Sequence, residues 1–310
     1  MARDRSLDGI KFILIFSVIL IHQHVSNCGN LNGVLHMFTM PMFTILSGYF
    51  TKVKTWESYF QWTKKMGCLF LIFNFLQSLI SVFFYDKCWV NSFFWGFIKP
   101  PLAMWYLVSL FWWRTMLQVL MGMGKSPDLR LLMGVAIVLS LVAGFVPIGH
   151  QFSFQRTFAW LPFFLLGYIS REREAISWIR RQTAWPFAVA LIVAVAVAWF
   201  LPVYMPKYSY KDGLYSMMVR GGMMLDSFVL CVSLFRLIPV SFANRLSGLG
   251  ALTMYFYLYH TLFMRIQRHY FGEYDITLNL PEGLLLTVLY ILVILLMSRV
   301  KLFRWLLMEK

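Results

Sequence analysis

Ten apolar runs near the length that crosses a bilayer punctuate this chain, at roughly 9–27, 34–51, 66–86, 102–121, 130–147, 155–170, 185–203, 214–235, 250–267 and 283–303. Inside hydrocarbon every backbone N–H and C=O needs a partner within the protein, so runs of this length are read as helices. Hydrophobic residues make up 60% of the chain and charged ones only 13%, and the mean hydropathy is +0.67, which is outside the range of soluble domains. The sequence therefore predicts an all-α, polytopic integral-membrane bundle of about ten transmembrane helices, with residues 1–310 as one domain. The second and sixth runs are short and carry Pro41 and Pro162 internally, so a broken helix is one expectation there.

A net charge of +15 would suggest nucleic acid in a soluble protein, but here the basic residues alternate with the loops. Arg3 and Arg5, Lys52 to Lys65, Lys125 and Arg130, Arg171 to Arg181, Arg236 and Arg245, and Arg299 to Lys310 fall on one side. The other side has only Lys87, Lys99, Lys207, Lys211 and the pair Arg265 and Arg268. By the positive-inside rule both termini are cytoplasmic, and the basic excess is topological, with no nucleic-acid partner implied. Cys28, Cys68, Cys88 and Cys231 form no CxxC pair and no metal-like cluster, so no metal site is expected and free thiols are read in preference to a Cys28–Cys88 disulfide.

Within the first run, Lys11 and His22 stand eleven positions apart, close to three full helical turns, and so share one face about 16 Å apart along the axis. An ionisable residue at membrane depth costs on the order of 2.5–3.5 kcal/mol on insertion scales and normally faces a cavity, a partner or a substrate path. Two readings stand for each: Lys11 snorkels to the interface or faces a ligand, and His22 ends the helix in water or accepts a proton from an attacking hydroxyl. Further polar groups fall in later runs. Trp105, Tyr106 and Arg114 lie in the fourth, Arg156 in the sixth, Arg220 and Asp226 in the eighth and His260 in the ninth, with Arg220 and Asp226 read as a pair or as partners of other helices. Ser47, Gly48 and Tyr49 close the second run, where Gly48 either lets a ligand approach or packs against a neighbouring helix. Lys64 and Lys65 end the following loop at the mouth of the third helix, as membrane anchors or phosphate ligands. Many buried cations with few acids suit an anionic, phosphate-bearing ligand better than a cation pathway.

These residues resemble acyltransferase family 3, the membrane O-acyltransferases that modify bacterial surface and extracellular glycans. Lys11 followed by ten residues and His22 is similar to that family's basic-x10-His motif. RSLDGIK, MPMFTILSGYF, MWYLVSLFWWR, RTFAWLPFFLLGY and YFYLYHTLF resemble its segments in the same order, over nearly the whole chain. The resemblance is to the branch described as fucose 4-O-acetylases, which have the membrane domain alone. Two departures stand out: Lys64 and Lys65 replace arginines common at the start of the third helix, and Thr39 stands where relatives commonly carry histidine. Lysine supplies a point charge in place of arginine's bidentate fork.

The resemblance implies a multi-pass enzyme of the bacterial cytoplasmic membrane that holds no bound cofactor. Acetyl-CoA, or another acyl-CoA, would be its co-substrate, and membrane lipid would surround it. The acyl group would go to a hydroxyl of a cell-surface or extracellular glycan or its lipid-linked saccharide precursor. In that reading His22 and Lys11 are catalytic, and Lys64, Lys65 and Arg114 bind acyl-CoA. Ser47, Gly48, Tyr49, Trp105, Arg156 and His260 would meet or orient the acceptor, and transfer is either direct or through an acyl-histidine or acyl-serine. A transporter of lipid-linked sugar or an organic anion is the alternative, weakened by the lack of an evident inverted repeat.

Overall fold

The computed structural model describes residues 4–122, 128–149, 151–201 and 209–308. Arg3, Lys125, Lys207 and Lys310 of the charge pattern lie outside the described residues, as do positions 202 and 203 of the seventh run. Among the described residues all regular structure is helical. In chain order the helices are α1 (Arg5–His22), α2 (Leu31–Phe50), α3 (Trp56–Tyr85), α4 (Trp89–Ile98), α5 (Trp105–Gly122), α6 (Leu129–Val142), α7 (Phe154–Glu172) and α8 (Ala175–Arg181). They continue as α9 (Ala184–Phe200), α10 (Leu214–Leu237), α11 (Val240–Arg245), α12 (Ser247–Ala251), α13 (Thr253–Glu273), α14 (Leu280–Met297) and α15 (Lys301–Leu306).

Each of the ten apolar runs has most of its residues on one helix, α1, α2, α3, α5, α6, α7, α9, α10, α13 and α14, while 250–267 begins in α12 and 283–303 runs on into α15. By length and composition, however, three of the described helices qualify to cross a membrane, α3, α10 and α14; a fourth span results if α8 and α9, bent by 105°, count as one. The shortfall has three physical sources. Helices α1, α5, α7 and α13 carry charged side chains that lower their hydropathy, α2 carries uncharged polar residues and Pro41, and α6 and α9 have 14 and 17 residues. Outward faces of the peripheral helices are apolar and open, with Leu131 on α6 69%, Ile192 on α9 70% and Leu285 on α14 72% exposed.

Helix α1 is the centre of the bundle. Leu7, Ile10, Leu14, Ile15 and Ile19 are buried on it, and it packs against α2, α11, α12, α13 and α14. Its start is set by Asp4, whose carboxylate accepts from the Ser6 backbone N–H at 2.9 Å. Helix α3 starts earlier than the apolar run suggests, because Thr55 caps an amphipathic extension, WESYFQWTKK. Lys64 and Lys65 therefore stand exposed on the helix itself and not in a loop before it. Nor do the prolines break their helices: α2 runs through Pro41 and α7 through Pro162.

Glycines set the closest helix contacts. A Cβ on Gly48 of α2 would run into the Phe164 carbonyl of α7, and one on Gly167 of α7 into the Ile45 carbonyl of α2. The same reciprocity holds between Gly9 of α1 and the Ala243 carbonyl, and between Gly250 of α12 and the Asp8 carbonyl. Gly48 is thus a packing residue. Arg220 and Asp226 do not pair, since six positions turn them to different faces of α10; Arg220 donates to the Ser140 carbonyl at 3.1 Å and lies over the Tyr210 ring. The four cysteines are free thiols.

Gly48→Ala should force α2 and α7 apart and cost on the order of 1–3 kcal/mol. A lowered thermal midpoint in detergent checks this, with Gly67→Ala as the control. Gly67 faces open space on α3, so its substitution should leave the midpoint unchanged or raise it.

Candidate active site

Lys11 and His22 line one cavity of about 330 Å³, enclosed by α1, α2, α5, α12 and α13. The helical spacing that puts both side chains on one face of α1 thus becomes a path from one chemical group to the other. At the Lys11 end, the ammonium sits 2.6 Å from Asp8 Oδ1, one turn earlier on α1, and 4.9 Å from the centre of the Phe50 ring. Asp8 is the more buried partner, at 4% side-chain exposure against 22% for Lys11. Arg114 reaches the same end from α5. Its Nε donates to Thr51 Oγ1 at 3.1 Å, and its guanidinium lies 4.3 Å over the Trp62 ring of α3. Thr51 closes α2, and its carbonyl accepts from Arg171 Nη1 at 2.9 Å, so one residue orients two arginines.

At the other end, the His22 ring stacks on His260 with centroids 5.7 Å apart and planes at 30°. His260 is fully buried, and its Nδ1 faces the Phe256 carbonyl at 2.7 Å. A carbonyl only accepts, so the proton is on Nδ1 and the ring is held in one tautomer. His260 therefore backs His22 and does not reach the cavity. Between the two ends, Ser47 Oγ and Tyr106 Oη share a hydrogen bond of 2.7 Å, and Tyr257 donates its hydroxyl to the Ala103 carbonyl. No carboxylate lines this cavity. Its basic groups are Lys11, Arg114 and His22, an arrangement that accommodates an anion at one end and a proton acceptor at the other.

The match of geometry to sequence extends to family. Residues 4–299 match acyltransferase family 3, whose profile is described as an acyltransferase domain. The chain belongs to that family. It is a membrane acyltransferase, and no curated protein and no solved structure matches it.

Among the residues given a site role from sequence, this acyltransferase brings Lys11, His22, Ser47, Trp105 and Arg114 to the cavity wall. Arg156 stands behind Trp105, its guanidinium 4.7 Å from that ring. Tyr49 packs edge-on against Phe50 at 5.6 Å, and Thr39 is fully buried away from the wall. Lys64 and Lys65 lie outside the cavity, less than a turn beyond the Trp62 that carries Arg114. Sequence reasoning gave no site role to Asp8, Thr51, Tyr106 or Tyr257. A signal existed for two of them: Asp8 is three positions before Lys11 and Tyr257 three before His260, each on the same helix face as its partner.

Asp8→Asn should leave the partly buried Lys11 ammonium without its counter-charge and lower stability by about 1–2 kcal/mol at low salt. Thermal unfolding of the detergent-purified protein checks this, and Asp8→Glu should recover part of the loss.

Proposed function

We propose that this acyltransferase moves an acetyl group from acetyl-CoA to a hydroxyl of a cell-surface or extracellular glycan or its lipid-linked precursor. It would act in the bacterial cytoplasmic membrane, as a member of the fucose 4-O-acetylase-like branch. The ten apolar helices would all cross the bilayer, with both termini cytoplasmic, a topology supported by the alternation of basic loops. The observation that carries the reading is one cavity joining Lys11 and Arg114 to His22.

In this reading coenzyme A arrives at the cytoplasmic end. The cavity holds a chain of pantetheine size and not the nucleotide, so the phosphates stay near its mouth. There Lys11 has N–H donors beyond the one on Asp8, Arg114 is held by Thr51, and Lys64 and Lys65 add exposed point charges. The thioester extends along α1 toward His22. His22 takes the proton of the acceptor hydroxyl as its oxygen attacks the thioester carbonyl, and the tetrahedral oxyanion meets the one hydroxyl proton that the Ser47–Tyr106 pair leaves free. Collapse breaks the carbon–sulfur bond, and the leaving thiolate takes the proton back from His22. His260 keeps the His22 ring in place, and Trp105, braced by Arg156, walls the acceptor side.

The test is thiol release from acetyl-CoA by wild-type and His22→Ala protein in liposomes, with a membrane glycolipid extract as acceptor. Acceptor-dependent release should fall by 10²-fold or more in the variant. Release unaffected by the substitution removes His22 from the chemistry. Movement of a lipid-linked sugar without acetyl-CoA consumption would replace the enzyme reading with a transporter.

Lys64→Gln/Lys65→Gln protein should show a severalfold higher KM for acetyl-CoA at an unchanged kcat, with the difference shrinking at high ionic strength. Initial rates at two salt concentrations measure it, because exposed charge pairs are screened over about 10 Å at 0.1 M.

A further inference from the structure

A second cavity, of about 460 Å³, lies between α3, α4 and α13. It differs from the first in chemistry and in place. Lys87, Lys99 and Arg265 line it together with Asn91, Ser92 and Ser81, and no carboxylate does. Arg265 is already aimed: one guanidinium nitrogen donates to Gln77 Oε1 at 3.0 Å and the other to Ser81 Oγ. Gln77 in turn donates to Thr261 Oγ1 at 3.0 Å, next to His260. Lys99 lies 5.1 Å over the Trp95 ring. Among the described residues none of these three cations has a carboxylate partner.

The position is informative. Arg265 is five residues, about 7.5 Å, along α13 from His260, and Arg268 Nη2 contacts His24 Nε2 at 2.8 Å, so this cavity lies at the His22 end of the bundle. That end is the one where basic residues are scarce, yet three of them converge on one pocket. The roof is α4, WVNSFFWGFI. At ten residues, or about 15 Å, it is too short to span a bilayer, and it turns Asn91 and Ser92 to the pocket while Trp89, Phe94 and Trp95 are exposed. A short aromatic helix of this kind rests at a membrane interface. A cationic pocket beneath it is placed for an anionic group carried on a lipid. The two cavities share a wall, the turn Pro101–Ala103, which contributes Pro101 to one and Ala103 to the other and is tied down by the Tyr257 hydroxyl.

We propose that this pocket is a second ligand site, seating the phosphate end of the lipid-linked saccharide acceptor beside the cavity where His22 acts. The assignment of an acceptor rests on the acyltransferase reading above; the assignment of a lipid phosphate rests on the pocket alone.

The test is equilibrium binding of radiolabelled farnesyl diphosphate to the full-length protein in detergent, for wild type, His22→Ala and Lys87→Gln/Lys99→Gln. Both lysines are exposed, so their replacement spares the fold. Wild type and His22→Ala should bind saturably and alike, and the lysine variant at least tenfold more weakly, with the difference lost at high salt. Phosphatidylglycerol should compete poorly. Equal affinity in wild type and the lysine variant, or no saturable binding, overturns the site. Competition by phosphatidylglycerol as strong as by unlabelled farnesyl diphosphate makes the occupant a phospholipid headgroup and overturns the acceptor assignment. Thiol release is measured on the same preparations. Intact lysine-dependent binding with no thiol release under any acceptor would sink the acyltransferase reading while the lipid-phosphate site stands.

Discussion

The contact on which the rest of this molecule depends is the interlock of helix backbones at glycine. Gly9 and Gly250 bring α1 against α11 and α12, and Gly48 and Gly167 bring α2 against α7. In a bilayer, lipid tails are as apolar as leucine, so helices gain little by hiding leucine from them; close backbone approach is what holds them together. The two helices fixed in this way are the ones that carry Lys11, His22 and Ser47. Of these four glycines only Gly250 lines the cavity, so its width is set largely by residues that stand behind the wall. Gly48 lies beside Ser47 in sequence but points the other way, and its effect on the site passes through the position of α2.

The charged groups around the cavity are tethered. Lys11 has Asp8, Arg114 has Thr51 and the face of Trp62, Arg171 has the Thr51 carbonyl, and His260 has the Phe256 carbonyl. Such tethers reduce the cost of placing an ionisable group away from water, and they also remove rotamer freedom, so the groups facing the cavity are pre-positioned. Thr51 has the largest share in this, since its hydroxyl and its carbonyl each fix an arginine at the point where α2 ends. His22 is the exception: a stacked neighbour orients its ring at the cavity wall.

The resulting division of labour is along the bundle axis. Cations gather at the Lys11 end, aromatic hydroxyls occupy the middle and paired imidazoles the far end, with a separate cationic pocket on the other side of the Pro101–Ala103 turn. If the two proposed sites are occupied, an anionic donor and a second anionic ligand would be kept apart by low-dielectric protein, and each would meet its own set of lysine and arginine donors.

Much of this was legible in the amino-acid order. Hydropathy periods located ten helices, and the eleven-residue spacing of Lys11 and His22 placed them on one face, because helical geometry alone determines both. Family membership also followed from residue order, and it extends over residues 4–299. Hydropathy did not establish that the ten helices all cross a membrane, since several of them carry charged or polar residues and two are short. Tertiary structure alone decided whether Gly48 faces a ligand or a neighbouring helix and that α2 passes Pro41 unbroken. It also decided that Tyr106 meets Ser47 and Tyr257 meets Ala103, and that Lys87, Lys99 and Arg265 converge. The physical reason is the same in each case. A helix's own face follows from local periodicity, but which neighbour that face meets depends on contacts between residues tens to hundreds of positions apart, and no local pattern encodes those.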